Sequence, residues 1–328
     1  MAGKIIGFIF SFLCLSVFAT AGTIFVPDDC QTIQEAVEKA KKGDVIIVKA
    51  GEYVENIRVD KDYITIRSVA GAKNTFVRAK STGHHIFVIT GKYVIISGFT
   101  LINTSQEIGN KLSAGVCLQT ASFNVISENI FLGNGYGILL IDSRNNILKD
   151  NKLSENKYGI FFAYLNSSNR KNIIRDNLIF NNSQDGICML RSWNSMVENN
   201  RIFDNEGDAI LLKGKGGNNI IKNNLVKNNE GRGISIDSET QNNLVYLNNF
   251  VDNKESSCGN YYSRFYSGSK IKYVFKGKTF INYLGNYWSD YIFLDNDQDG
   301  VGDIPYNLIN SQDSYPLMEA FESYAILK

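Results

Sequence analysis

Five residues near the C-terminus have the types and spacing of an all-oxygen metal loop. Asp295, Asp297 and Asp299 alternate, Gly300 follows where a bend is needed, and Asp303 supplies a fourth carboxylate. Alternating carboxylates, a central Gly and a donor eight residues on match the first nine positions of a calcium loop. The twelfth position is Tyr306 instead of a bidentate Glu, so Asp290 or Asp313 is expected to complete the ligand set. The role expected of Ca2+ is to order this part of the chain, not to catalyse.

A second group emerges when the chain is read as a repeat. From Gly115 to Asn253, units open with Gly or Ala followed by an aliphatic residue: Gly115-Val116, Gly137-Ile138, Gly159-Ile160, Gly186-Ile187, Ala209-Ile210 and Gly233-Ile234. One residue before each opening stand Ala114, Tyr136, Tyr158, Asp185, Asp208 and Arg232. If the units stack, these six form one column with neighbours about 5 Å apart. Stacked carboxylates repel, which raises one pKa and is the condition for a general acid beside a base. Carboxyl groups about 5 Å apart suit a retaining glycosidase. Tyr136, Tyr158 and Arg232 are the expected ligand contacts, and Asp185 and Asp208 are the catalytic candidates. The competing reading is that Asp185-Gly186 is turn chemistry and the tyrosines cover surface.

The elements that must position these residues follow from the same repeat. Each unit carries a second apolar pair (Ile147-Leu148, Ile173-Ile174, Met196-Val197) and then an Asn-x-apolar-x-x-Asn motif: Asn129/Asn134, Asn151/Asn156, Asn177/Asn182, Asn200/Asn205, Asn224/Asn229 and Asn248/Asn253. Of 38 asparagines, 28 fall between Asn124 and Asn253. Three short strands per unit, ended by Gly or Asn, exclude helical hairpins. Gly and Asn tolerate the left-handed backbone of sharp corners, and stacked Asn side chains bond from layer to layer. The fold class is therefore all-β, a single-stranded right-handed parallel β-helix with aliphatics inside. Gln31 to Lys42 reads as an N-terminal capping helix, which would shield an open sheet edge. Val45–Val48, Ile57–Val59, Tyr63–Ile66, Phe87–Ile89 and Tyr93–Ile96 read as strands of early coils. The divisions are a leader over 1–21, an N-terminal cap and first coils over 22–114, regular repeats over 115–253 and an irregular C-terminal cap over 254–328.

Lys4, the apolar run Ile5 to Phe18 and Ala19-Thr20-Ala21 have the form of a cleaved export signal. The run is shorter than the roughly 20 residues of a bilayer span, so a secreted, periplasmic or cell-surface protein with no remaining membrane span is expected, as a monomer. Lys plus Arg is 34 and Asp plus Glu 33, for a net charge of +1; losing Lys4 makes the mature chain neutral. Neutrality removes the electrostatic basis for nucleic-acid binding. Two histidines weigh against multi-His metal sites, and His84-His85 reads as a loop pair. Cys117 and Cys188 stand three coils apart, roughly 14 Å, beyond the disulfide limit of about 7 Å. Cys30 and Cys258 lie near opposite ends, so no intrachain disulfide is expected. Cys117, Leu139, Phe161, Cys188 and Leu211 should point outward as an apolar stripe, with the insertion around Asn166 to Lys171 as a cover. Asn103, Asn166 and Asn181 begin glycosylation-acceptor patterns.

The stretch Ile33-Gln34-Glu35-Ala36-Val37, Gly43-Asp44-Val45-Ile46, Gly51-Glu52-Tyr53 resembles the opening of the carbohydrate-binding and sugar-hydrolase β-helix superfamily. Gly285-Asn286-Tyr287-Trp288-Ser289-Asp290-Tyr291, the Asp295 to Tyr306 loop and Asp313-x-Tyr315-Pro316-Leu317-Met318 resemble the NosD family within it. The resemblance implies an exported β-helix protein and copper supply, although few His, Met or Cys ligands are present. A non-catalytic binding or scaffold protein for a glycan or a cell-envelope protein is expected. A polysaccharide hydrolase or lyase is the alternative, and a copper-delivery accessory the second alternative.

Overall fold

The computed structural model describes residues 21–102, 113–255 and 257–327. Residues 1–20 of the expected leader and the Asn103 pattern lie outside the described residues. The chain winds as a right-handed parallel β-helix with three long sheets. Sheet A has ten strands from Thr23–Val26 to Leu244–Tyr246, sheet B ten from Gly51–Val54 to Tyr287–Trp288, and sheet C eight from Ile57–Val59 to Ile234–Ile236. Like stands on like: Ile138 pairs with Ile160, then Ile187, Ile210 and Ile234. Alternate residues point inward, so Ile126, Leu148, Ile174 and Val197 from sheet A and Phe131, Leu153, Ile179 and Ile202 from sheet B fill one dry core.

From Phe123 onward the regular coils turn at three recurring corners, where a residue with positive φ is followed immediately by a polar ladder residue; at the earlier corners Tyr63 and Tyr93 the next residue is the buried apolar Ile64 or Val94 instead. In one coil the pairs are Asn145-Asn146, Asp150-Asn151 and Glu155-Asn156, with φ of 56°, 55° and 58° at the first member. The laddered asparagines are thus not themselves left-handed, contrary to the expectation above; the residue before each takes that conformation. The second member needs a conventional backbone so that its side chain can turn inward and bond along the axis. Asn177 Nδ2 donates to Asn200 Oδ1 at 3.0 Å and to the Leu148 carbonyl at 2.9 Å. The next asparagine down repeats this, since Asn151 donates from N and Nδ2 to Asn177 Oδ1 at 3.0 and 3.1 Å. Two ladders match the predicted motif. A third, through Asn124, Asn146, Asn172, Asn219 and Asn243 with Ser195 interposed, was not predicted.

The ladders satisfy buried corner groups that no strand pairing reaches. One continues beyond the regular repeats: Asn248 donates to Asn286 at 2.9 Å, and Asn286 to Asp313 Oδ2 at 3.1 Å. Asp313 also accepts from the Asn286 and Tyr315 backbone N–H groups and from Trp288 Nε1. An acceptor-only side chain ends a column of amide donors. Burial pushes the Asp313 carboxyl up to about 7 against the pull of those bonds. The opening glycines have a different cause: a Cβ on Gly159 would lie 2.5 Å from the Gly186 carbonyl oxygen and 2.7 Å from Ile179 Cγ2.

At the N-terminus the helix is shorter than predicted, Ile33–Lys39. Thr32 accepts from Glu35 N, and Ala40 leaves the helix with ψ 144°. Glu55 of the following coil accepts from the Ile33 and Gln34 N–H groups at 2.9 Å each. Ile33, Ala36 and Val37 join the main core. The early strands predicted from Tyr63 and Tyr93 instead span Thr65–Ser68 and Ile95–Ser97, because both tyrosines sit at left-handed corners. The C-terminal region adds an antiparallel sheet of Ile271–Phe275, Lys278–Asn282 and Ala325–Ile326. Cys30, Cys117, Cys188 and Cys258 are free thiols.

Asn177→Ala leaves the Asn151 donors and the Leu148 carbonyl without their bonds, at a cost of about 3 kcal/mol. Asn181→Gly, at an exposed corner with φ 52°, is expected to stay within about 0.5 kcal/mol of the parent. Urea unfolding of both variants checks this; equal midpoints would refute a stabilising ladder.

Candidate functional site

The outward face of sheet C carries the predicted column. Ala114 pairs with Tyr136 and Tyr136 with Tyr158. The backbone bonds Gly159 N to Asp185 O, Gly186 N to Asp208 O and Ala209 N to Arg232 O carry it onward, and Arg232 bridges to Glu255. All six predicted positions are therefore vertical neighbours. The column also extends beyond the prediction at both ends. His85 precedes Ala114, accepting its N–H at Nδ1 over 2.8 Å, and Glu255 follows Arg232. His85, read above as part of a loop pair, was not placed in the column because its coil lacks the Gly-aliphatic opening; the apolar run Ile86-Phe87 was the remaining signal.

The two halves of the column differ in chemistry. Tyr136 and Tyr158 stack with ring centroids 5.6 Å apart, and both rings lean on Phe161 at 4.9 and 5.0 Å. Burial pushes the Tyr136 phenol up to about 12. Tyr158 is raised by burial and then by the charge of Asp185. These phenols therefore stay protonated and offer hydrogen bonds, not base catalysis.

The carboxylates form a short ladder of their own. Asp185 Oδ1 accepts the Asp208 N–H at 2.9 Å, and Asp208 Oδ1 accepts the Arg232 N–H at 2.8 Å. Turn chemistry thus accounts for one oxygen of each. Burial is the main cause pushing Asp185 up to about 6; the nearby Asp208 charge adds to it, while the Asp208 N–H opposes. Asp208 is also raised by burial, against the pull of Arg232. Arg232 pairs with Glu255 at 3.2 Å, yet its Nε is buried without a hydrogen-bond partner.

The expected outward stripe is covered to a large extent by its own neighbours. Cys117 and Leu139 are buried among Tyr136, Ile141, Phe161 and Ala163, and Cys188 is buried too. The insertion does not supply that cover. Its Leu165, Asn166 and Ser167 N–H groups all converge on the Asp142 carboxylate at 2.9 to 3.2 Å, which holds it at the edge of the face.

In the acidic loop, Asp295, Asp297 and Asp299 bring one carboxylate oxygen each within 4.8 Å of one another. Asp303 does not join them: it turns back to accept from Asn296 N and Nδ2 at 2.8 and 2.6 Å. Neither expected supplementary ligand is at hand. Asp290 accepts from the Tyr306 hydroxyl, and Asp313 closes the asparagine ladder. Burial and the Asp297 and Asp299 carboxyls raise Asp295.

Asp185 binds its proton more tightly in the folded state. Its contribution to stability is therefore full below the unfolded carboxylate range and withdrawn as pH rises from about 4 to about 6. Carbon-13 carboxyl NMR should show one Asp titrating near 6, absent in Asp185→Asn, and that variant should lose this part of the pH dependence of unfolding. A normal titration for every Asp would contradict the assignment.

Among curated proteins no relative matches the sequence. Solved structures of the same fold include an alginate lyase from Paenibacillus sp., 19% identical with a TM-score of 0.52, covering 73% of this chain and 94% of that one. DFA-IIIase from Arthrobacter chlorophenolicus is 14% identical with a TM-score of 0.55, covering 66% and 60%. Pectate lyase Pel9A is 13% identical with a TM-score of 0.54, covering 75% and 78%. At such identities the likeness is one of fold. The family model described as periplasmic copper-binding protein (NosD) matches residues 39–169 and 72–292, well over half of the sequence, and the chain belongs to the NosD family.

Proposed function

We propose that this protein is an exported, non-catalytic glycan-binding protein of the cell envelope, with the sheet C column as its binding strip. The observation that carries the reading is the unbroken vertical run Tyr136, Tyr158, Asp185, Asp208, Arg232, one residue per coil on an outward face. Phenol hydroxyls, carboxylates and a guanidinium in series suit the closely spaced hydroxyls of a sugar chain. The names of two structural neighbours, an alginate lyase and a pectate lyase, agree with this reading. Binding is favoured over hydrolysis because one oxygen of each carboxylate is committed to a backbone N–H. Glycan-array retention should fall about tenfold in the Tyr136→Ala/Tyr158→Ala double variant. No retention of any glycan by the parent would sink the reading.

The acidic loop is read as a structural Ca2+ site. Asp295, Asp297 and Asp299 are hard oxygen donors, and Gly300 (φ 89°) provides the bend. A chelator should lower the melting temperature by several degrees, and Asp297→Ala should abolish that sensitivity. An unchanged melting curve would rule out a bound ion at this loop.

Copper delivery, which the family description suggests, is not supported by the donor chemistry. Among the described residues, the group whose metal-ligating atoms converge is all aspartate. The softer donors are dispersed. His84 bonds Ser81, His85 takes the Ala114 N–H, and Cys117 is buried with its thiol pushed up to about 12. Met189 lies in the core. Copper sites need such ligands brought together.

A further inference from the structure

Away from the sheet C column, the corner that leads into sheet A carries a ridge of exposed rings and cations. Tyr63, Tyr93 and Phe123 occupy it in successive coils, stacked at 4.5 and 4.9 Å, and are 40%, 41% and 43% exposed. All three take left-handed backbone, with φ of 60°, 58° and 62°, which a bulky side chain adopts only at a cost. Later coils carry Asn145, Asn194 and Asn218 at the same corner, where asparagine tolerates that backbone. Stacking offsets part of the cost, yet the ring edges remain in solvent. Beyond Phe123 the ridge turns basic. Arg144 is bridged to Arg170 in the next coil, with Lys171 beside it, and Lys92 precedes Tyr93. Among the described residues these four exposed cations form no ion pair. Asp62 and Asp142, the carboxylates of the same corner segments, accept backbone N–H groups instead. By contrast, Lys149, Arg175 and Lys222 on the far side of sheet A are each paired with a carboxylate.

Stacking also decides what the ridge can receive. Tyr93 lies between two rings, and Tyr63 between Tyr93 and the Lys42 ammonium at 4.2 Å. Neither has a free face on which a sugar or a base could stack, and their edges project instead. A corner is convex, so it encloses no small molecule but lies well against a flat surface. Next to it, Ile95, Val125, Ile147 and Ile173 pair in register as an outward aliphatic column of sheet A, with Ile95 exposed and the others half-buried. Aromatic edges and aliphatic groups suit the boundary between lipid headgroups and acyl chains. Unpaired cations suit lipid phosphates, which they attract within a Debye length. The charge is a local feature, because the whole chain carries a net charge of only +1. We propose that this ridge docks the protein peripherally on an anionic lipid bilayer, with Tyr93 and Phe123 entering the interface and Arg144 and Arg170 on the phosphates.

Flotation of the intact protein with two kinds of vesicle tests this: phosphatidylcholine alone, and an equimolar mixture with phosphatidylglycerol. The mixed vesicles should bind roughly tenfold more tightly, and high salt should shrink the margin. Arg144→Gln/Arg170→Gln removes charge at exposed positions and should weaken binding to the mixed vesicles about tenfold. Tyr93→Asn/Phe123→Asn installs the residue that later coils carry at this corner. It should also weaken binding roughly tenfold, while the preference for charged lipid persists. Failure to bind either vesicle, equal binding of both, or parent-level binding by either variant would overturn the proposal. Retention on polygalacturonate or single-stranded DNA without vesicle binding would do the same and make the ridge a polyanion site. Melting at the parent's temperature identifies folded variants, and the comparison of the two lipids uses the unmodified protein. None of these changes touches the sheet C column, so glycan-array retention stands or falls separately.

Discussion

The structure depends on one constraint: every polar group at a coil corner must find a partner inside a dry solenoid. Strand pairing satisfies the straight segments. It cannot reach the corners, where the chain turns over a single left-handed residue and buries the next. Asparagine meets the requirement because its amide both donates and accepts. Each Asn passes the bond to the coil beyond, so the corners become three columns parallel to the core. A residue of the same size with only one function would break the chain of bonds. Aspartate takes the position once, at Asp313, where the column stops and only acceptors are wanted.

The same registration builds the candidate site. Residues two dozen apart in sequence become neighbours at strand spacing, so a change of residue type from unit to unit becomes a gradient of chemistry along a face. On sheet C that gradient runs from His85 through two stacked tyrosines to two carboxylates, Arg232 and Glu255. Like charges are held close by backbone pairing, not by their own attraction. The raised carboxyl of Asp185 follows from that burial and enforced proximity.

Family membership and donor chemistry diverge in this chain. The NosD family is described by copper, while among the described residues the ligand-type side chains that converge are three aspartates on one loop. Hard oxygen donors favour calcium over copper. The solenoid itself is compatible with many activities, so side chains on the faces carry the functional argument.

Much of the fold was legible in the sequence, because a repeat reports its own register. The Gly-aliphatic openings and paired asparagines identify coil length, inward positions and the column from Tyr136 to Arg232 without coordinates. The early strand boundaries were less legible: Tyr63 and Tyr93 have strand composition but serve as left-handed corners, which composition does not reveal. Asp303 has the spacing of a ligand yet faces Asn296, since local hydrogen bonds determine where a loop side chain turns. His85 lies in a coil without the opening motif, and the burial of Cys117 and Leu139 depends on rings from neighbouring coils. Periodicity alone therefore determined the solenoid and its vertical order. Only the tertiary structure decided which side chains at those positions are engaged with neighbours, because burial and hydrogen-bond direction arise from packing across coils and are not encoded in spacing.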